Sequence, residues 1–158
     1  MDSNQQDYAS LPKKRMGAGC LLFDGMDRVL LVKATYRPTW EIPGGIVELD
    51  ESPKQCCQRE VQEEIGLIRN IGTLLVVDYN RAGEWKTESL MFIFDGGVLT
   101  QSEIDSIELN SAELSEYRFF NQDDLPKEMT ASLRARVLAA WQQKINDHGI
   151  YLENQTRV

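Results

Sequence analysis

Glu60, Glu63 and Glu64 lie close together in the stretch GIVELDESPKQCCQREVQEEIGL, which begins at Gly45. On a helix advancing ~100° per residue they fall inside one stripe roughly 100° wide. Like charges at three- and four-residue spacing repel and raise one another's pKa, so a helix that presents them calls for a counter-charge. A divalent cation supplies it. Hard oxygen donors without His or Cys select Mg²⁺ or Mn²⁺ over zinc, and Mg²⁺ is usually held by a few carboxylates plus substrate phosphate oxygens. Alone, an acidic stripe reads more readily as a solvated helix face than as a ligand set; the surrounding pattern decides. Arg59 adjoins the stripe and can grip a carboxylate with two parallel hydrogen bonds. Glu51 stands just ahead of the helix, where the helix dipole favours negative charge. Gly44 and Gly45, following Pro43, mark a tight turn into which a ligand can come close to backbone.

These side chains need a helix and a sheet to hold them. Ser52 as N-cap, Pro53 at the first helical position and Gln55 in capping-box spacing start the helix; Gly66 ends it. Upstream, β-rich runs from Arg15 to Phe23 and from Val29 to Val32 flank Asp24-Gly25 and predict a hairpin, with Tyr36 to Trp40 as a loop. Downstream, Leu74 to Tyr79, Ser89 to Phe94 and Tyr117 to Phe120 read as strands, and Thr130 to Ile145 carries apolar residues at helical spacing. Strands mixed with two distant helices predict an α/β fold, a mixed sheet covered on both faces. The expected organisation is a flexible arm over 1–13, one domain over 14–147 and a tail over 148–158.

The segment around the glutamates resembles the Nudix box: Gly, five residues, Glu, seven residues, Arg-Glu, an aliphatic, any residue, Glu-Glu, any residue, Gly, an aliphatic. Gly45, Glu51, Arg59, Glu60, Val61, Glu63, Glu64, Gly66 and Leu67 meet every specified position. At average residue usage a chance match in a chain of this length is on the order of one in ten million, which outweighs the solvated-face reading. The approach Trp40-Glu41-Ile42-Pro43-Gly44-Gly45 is also similar to the family's, and the departure is Asp50, where relatives often carry Gly. The resemblance implies a Nudix-type α/β/α sandwich and hydrolysis of a nucleoside diphosphate linked to another moiety. It further implies Mg²⁺ or Mn²⁺ held by Glu60, Glu63, Glu64 and the Gly45 carbonyl, with Arg59 and Glu51 in support. Many relatives place one more carboxylate before a late strand. Glu113 is the candidate general base or fourth ligand, Glu116 its rival, and a box glutamate a third choice. Arg37, Trp40, Gly44, Gly45, Tyr79 and Arg81 are the candidate substrate contacts, with Tyr36 and Trp85 beside them, because aromatic faces accept bases and Arg matches phosphate oxygens.

The 158 residues suffice for one sizeable core, and 42% apolar with 27% charged residues is ordinary globular usage. A net charge of −8 repels nucleic acid polymers, leaving small nucleotides as the expected substrates. No apolar run reaches the ~18 residues of a membrane span, and the polar Met1 to Ser10 lacks a signal core, so a cytoplasmic location is expected. Cys20, Cys56 and Cys57 read as reduced, buried thiols and His148 as a solvated side chain. A monomer or homodimer is expected. The alternative function is a catalytically silent Nudix-like nucleotide-binding or regulatory module, which would tolerate loss of a metal ligand; none is lost here.

Overall fold

The computed structural model describes residues 8–146 and 148–158. In chain order its strands and helices are β1 (Arg15–Phe23), β2 (Val29–Ala34), β3 (Trp40–Glu41), β4 (Gly44–Ile46), α1 (Pro53–Ile65), β5 (Leu74–Asn80) and β6 (Ser89–Val98). They continue with α2 (Gln101–Asp105), β7 (Leu114–Phe120), α3 (Ala131–Asn146), β8 (Ile150–Glu153) and β9 (Thr156–Arg157).

Alternation along β1 and β2 builds both layers of the core. Leu21, Phe23, Val29 and Leu31 point to the face covered by α3, where Phe23 meets Trp141 edge-on at 5.1 Å. Cys20, Leu22, Leu30 and Val32 point to the opposite face and pack under Cys56, Cys57, Val61 and Ile65 of α1. Each such fully buried aliphatic side chain contributes about 1.5–3 kcal/mol. The result is a mixed sheet between helices, as the strand and helix pattern predicts.

Strand pairing explains where the site forms. β1 runs parallel to β6 along its whole length, while it pairs antiparallel with β2 only at Phe23 and Val29. Beyond that point β1 and β2 splay. The segment from Trp40 to Ile46 fills the gap, with β3 on β2 and β4 on β1. The Pro43-Gly44-Gly45 turn is thereby stitched into the sheet beneath α1.

Three differences from the sequence expectations have local causes. Residues 150–157, expected to be part of a tail, are strands: β8 adds parallel to β5, and β9 folds back on it. Only Ile150 and Leu152 alternate there, too short a signal to outweigh the polar residues around them, and Asn154 and Gln155 make the turn at φ 48° and 63°. Trp40 belongs to a strand rather than a loop. Thr100 and Glu103 form a capping box that starts the short α2. Of the arm expected over 1–13, residues 1–7 lie outside the described residues; Tyr8–Ser10 is a short 3-10 turn, exposed like residues 11–14.

Candidate active site

Helix α1 starts as its sequence dictates. The Ser52 hydroxyl accepts from the Gln55 N–H at 3.2 Å, the Gln55 side chain returns a bond to the Ser52 N–H at 2.9 Å, and Pro53 occupies the first turn. Gly66 closes it at φ 74°, its N–H donating to the Gln62 carbonyl. Asp50 also takes a left-handed conformation, φ 57°, which Asp tolerates better than most non-glycine residues. The position where relatives often place Gly thus keeps a glycine-like backbone.

Arg59 is the hub of the site. Its Nε and Nη2 donate to the two Glu51 oxygens at 2.8 and 3.0 Å, the two-pronged grip expected of it. Its Nη1 donates to Glu60 at 2.8 Å and to Glu63 at 3.0 Å, and Nη2 also reaches the Ile46 carbonyl at 3.2 Å. Arg59 holds the Glu51 carboxyl down at about 2, helped by the Glu48 N–H, and Glu51 in turn raises the Arg59 pKa. Burial raises Glu60, against the pull of Arg59.

Glu64 is the buried member of the stripe, 8% exposed, whereas the Glu63 side chain is 55% exposed. Burial pushes the Glu64 carboxyl up to about 8; Glu60, Glu113 and Glu41 push the same way, and a 3.0 Å bond from the Gly44 N–H opposes them. Backbone crowding requires glycine at Gly44, whereas Gly45 faces the movable end of the Glu60 side chain. A Cβ at Gly44 would stand 2.4 Å from the Ala18 carbonyl oxygen, and one at Gly45 would stand 2.1 Å from Glu60 Oε1. Glu60 therefore lies directly against the Gly45 backbone.

The loop ahead of β7 brings one of the two rival carboxylates here. The Glu108 N–H donates to the Ile65 carbonyl at 3.1 Å and the Asn110 N–H to the Glu64 carbonyl at 3.0 Å, so the loop is docked on the end of α1. Thr35 ties it from the other side, its N–H donating to the Glu113 carbonyl at 2.8 Å. The Glu113 charge raises both Glu60 and Glu64. Glu116 is engaged elsewhere, paired with Arg118 and with Lys33 at 3.9 Å.

Among the described residues, no three acidic, Cys or His side chains converge into a ready-made metal cage. Arg59 draws Glu60 and Glu63 one way and the Gly44 N–H draws Glu64 another. The donor set still suits a hard dication: carboxylates and a backbone carbonyl at one turn, with the nearby Cys56 thiol, 3.7 Å from the Gly45 carbonyl oxygen, pushed by burial up to about 12 and so protonated.

The expected substrate contacts scatter. Trp40 is 5% exposed, edge-on to Phe120 at 5.1 Å and flanked by Lys33 and Arg118, so it is a core residue rather than a face open to a base. Arg37 pairs with Glu41 at 2.6 Å and lies over the exposed Tyr36 ring. The Tyr79 hydroxyl donates to Glu88 at 2.7 Å, while Arg81 and Trp85 are exposed on the loop between β5 and β6. Glu41, which the sequence reading passed over, sits just ahead of the glycine turn and adds to the field on Glu64; its place two residues before Pro43 was the available signal.

Comparison with known proteins agrees with this geometry. The chain matches the family model described as NUDIX domain over residues 13–142. It is 37% identical over 93 residues to diphosphoinositol polyphosphate phosphohydrolase 2 of Rattus norvegicus, covering 58% of this chain and 48% of that one. It is 26% identical over 138 residues to a MutT-like protein of Streptomyces ambofaciens, covering 87% and 84%. The chain thus spans about half the length of the first of these relatives and most of the second. The fold is shared with the MutT protein of Methanosarcina mazei Go1 at a TM-score of 0.69 and 22% identity, covering 87% of this chain and 98% of that one. With a complete box, held by this sheet and matched along most of its length, the chain belongs to the Nudix hydrolase family.

Proposed function

We propose that the protein is a divalent-metal-dependent hydrolase that cleaves the diphosphate linkage of a nucleoside diphosphate joined to another moiety. The observation that carries this reading is the juxtaposition of Glu60 and Glu64 with the Gly44-Gly45 backbone, under an arginine that pins Glu51, Glu60 and Glu63 together. Glu60, Glu63, Glu64 and the Gly45 carbonyl would hold Mg²⁺ or Mn²⁺. When bound, such ions supply charge neutralisation on the diphosphate oxygens and lower the pKa of water. The protein's own groups do the rest. Arg59 and Glu51 fix the orientation of the glutamates, and the glycine turn lets the diphosphate approach backbone without steric conflict. Glu113, exposed and near enough for its charge to raise Glu60 and Glu64, takes the proton from the attacking water.

Tyr79 and Arg81 are retained as contacts for the remainder of the substrate, and Arg37 as one held in place by Glu41. The named activities of relatives span diphosphoinositol polyphosphates and UDP-linked compounds, which fits a diphosphate-centred chemistry with variable flanking groups. No helix among the described residues is long and apolar enough to cross a membrane; a cytoplasmic setting is part of the proposal. The test is turnover on a panel of nucleoside triphosphates, ADP-sugars and dinucleoside polyphosphates with and without Mg²⁺. Metal-dependent products that vanish in Glu63→Gln and Glu64→Gln, with folding preserved, support the hydrolase. Saturable binding without turnover anywhere on the panel would favour a silent binding module.

A further inference from the structure

The margins of the sheet differ in what they leave open. β3 and β9 end it with two residues each, too few to template another strand. β7 has seven residues, and it pairs with β2 alone. Among the described residues, no hydrogen bond from outside that pairing reaches the backbone from Glu116 to Phe120. Alternate residues of β7 therefore present a free N–H and C=O to solvent over roughly 16 Å. Natural edges of this kind are commonly blunted by Lys or Pro, and the strand Leu-Ser-Glu-Tyr-Arg-Phe-Phe holds neither. Its two charges are of opposite sign.

The residue order is self-complementary about Tyr117. In an antiparallel pair of β7 strands centred there, Glu116 of each copy stands opposite the partner's Arg118, and Tyr117 stands opposite its own counterpart. Both charged side chains are accessible, at 30% and 63% exposure. On the other face of the strand Tyr117 meets Phe119 edge-on at 6.4 Å, so the pairing aligns four rings in one row across the seam. Opposite charges and aromatic rings facing each other across strands are contacts that stabilise antiparallel pairs. Centring the pair one residue earlier sets Glu116 against Glu116, and one residue later sets Arg118 against Arg118, so charge selects the Tyr117 register. We propose that β7 is the interaction surface for a second copy of this chain, two β7 strands joining antiparallel about Tyr117 so that two sheets continue into one.

Sedimentation velocity of the full chain over a dilution series tests it, at about 0.15 M salt so that repulsion between two chains of net charge −8 is screened beyond about 8 Å. The unaltered protein should pass from the 18.0 kDa monomer to twice that mass as it is concentrated. Arg118→Glu sets carboxylates against carboxylates across the seam and Glu116→Arg sets cations against cations, so each should raise the dimer Kd at least about tenfold. The double swap Glu116→Arg, Arg118→Glu should restore it. An equimolar mixture of the two single variants is the sharpest arm: one chain then offers two cations opposite two carboxylates of the other, and a mixed dimer should form although neither variant pairs with itself. Repulsion within each strand persists in that mixture, so recovery can come only from contacts between copies. Hydrogen exchange on the unaltered protein gives a reading that needs no variant, since amides between Glu116 and Phe120 should gain protection on concentration. A monomer at every concentration, a Kd unmoved in the single variants, no recovery in the mixture of variants with unchanged far-ultraviolet circular dichroism, or protection gained elsewhere and not in β7 overturns the proposal.

Discussion

Arg59→Met removes the charge at the centre of the glutamate cluster while keeping most of the side-chain volume. The wild-type guanidinium makes two bonds to Glu51 and one each to Glu60, Glu63 and the Ile46 carbonyl. The side chains of Arg59, Glu51 and Glu60 are 24%, 13% and 14% exposed. That places the network between surface pairs, worth up to about 1 kcal/mol, and fully buried ones, whose breakage costs about 3–5 kcal/mol. The expected loss is therefore about 2–3 kcal/mol at pH 7 without metal. The pH dependence follows from Glu51, held down at about 2 chiefly by Arg59. A depressed carboxylate contributes stability that is present above its unfolded pKa of ~4.5 and lost as pH falls through the folded value. Arg59→Met lacks that contribution, so the two proteins should converge between about pH 4.5 and 2. Urea unfolding in EDTA at pH 7 and pH 3 reads both points. A loss under about 0.5 kcal/mol at pH 7, or a gap that widens in acid, would refute the network as described.

Glu64 should impose the opposite slope. Its carboxyl is raised to about 8, so the metal-free protein should lose a few kcal/mol of stability as pH climbs from ~4.5 through 8; Glu64→Gln should flatten that slope in denaturant titrations. Gly45→Ala would place a methyl 2.1 Å from Glu60 Oε1, the end of a flexible side chain, so it should cost under about 1 kcal/mol in unfolding measurements yet at least about tenfold in kcat, since Glu60 must swing away. Glu113→Gln should lower kcat about a hundredfold with folding intact, while Glu116→Gln, whose carboxylate is engaged by Lys33 and Arg118, should stay within about threefold; equal effects would remove Glu113 as base.

What could be read in advance was local in sequence. The capping box at Ser52, the Gly66 cap and the shared face of Glu60, Glu63 and Glu64 each depend on residues within one or two helical turns, and so does the bond from Arg59 to Glu63. What could not be read depends on distant partners. Trp40 looks like a surface ring until β7 brings Phe120 against it, and residues 150–157 look like a tail until β5 offers an edge to pair with. The nearness of Glu113 to the glutamates depends on a loop docked to the end of α1 through the Asn110 N–H, which no spacing rule encodes. Asp78 and Arg136 are 58 residues apart and unremarkable singly; only the packing of α3 on β5 makes them a buried pair.

Manganese titration followed by electron paramagnetic resonance addresses the central claim most directly. At pH 8 the unaltered protein should sequester Mn²⁺, with the free-ion signal falling as protein is added. Glu60→Gln and Glu64→Gln should each weaken that uptake at least about tenfold, and Glu116→Gln should leave it unchanged. Binding of equal strength in all four proteins would mean that the glutamate stripe against the glycine turn holds no metal.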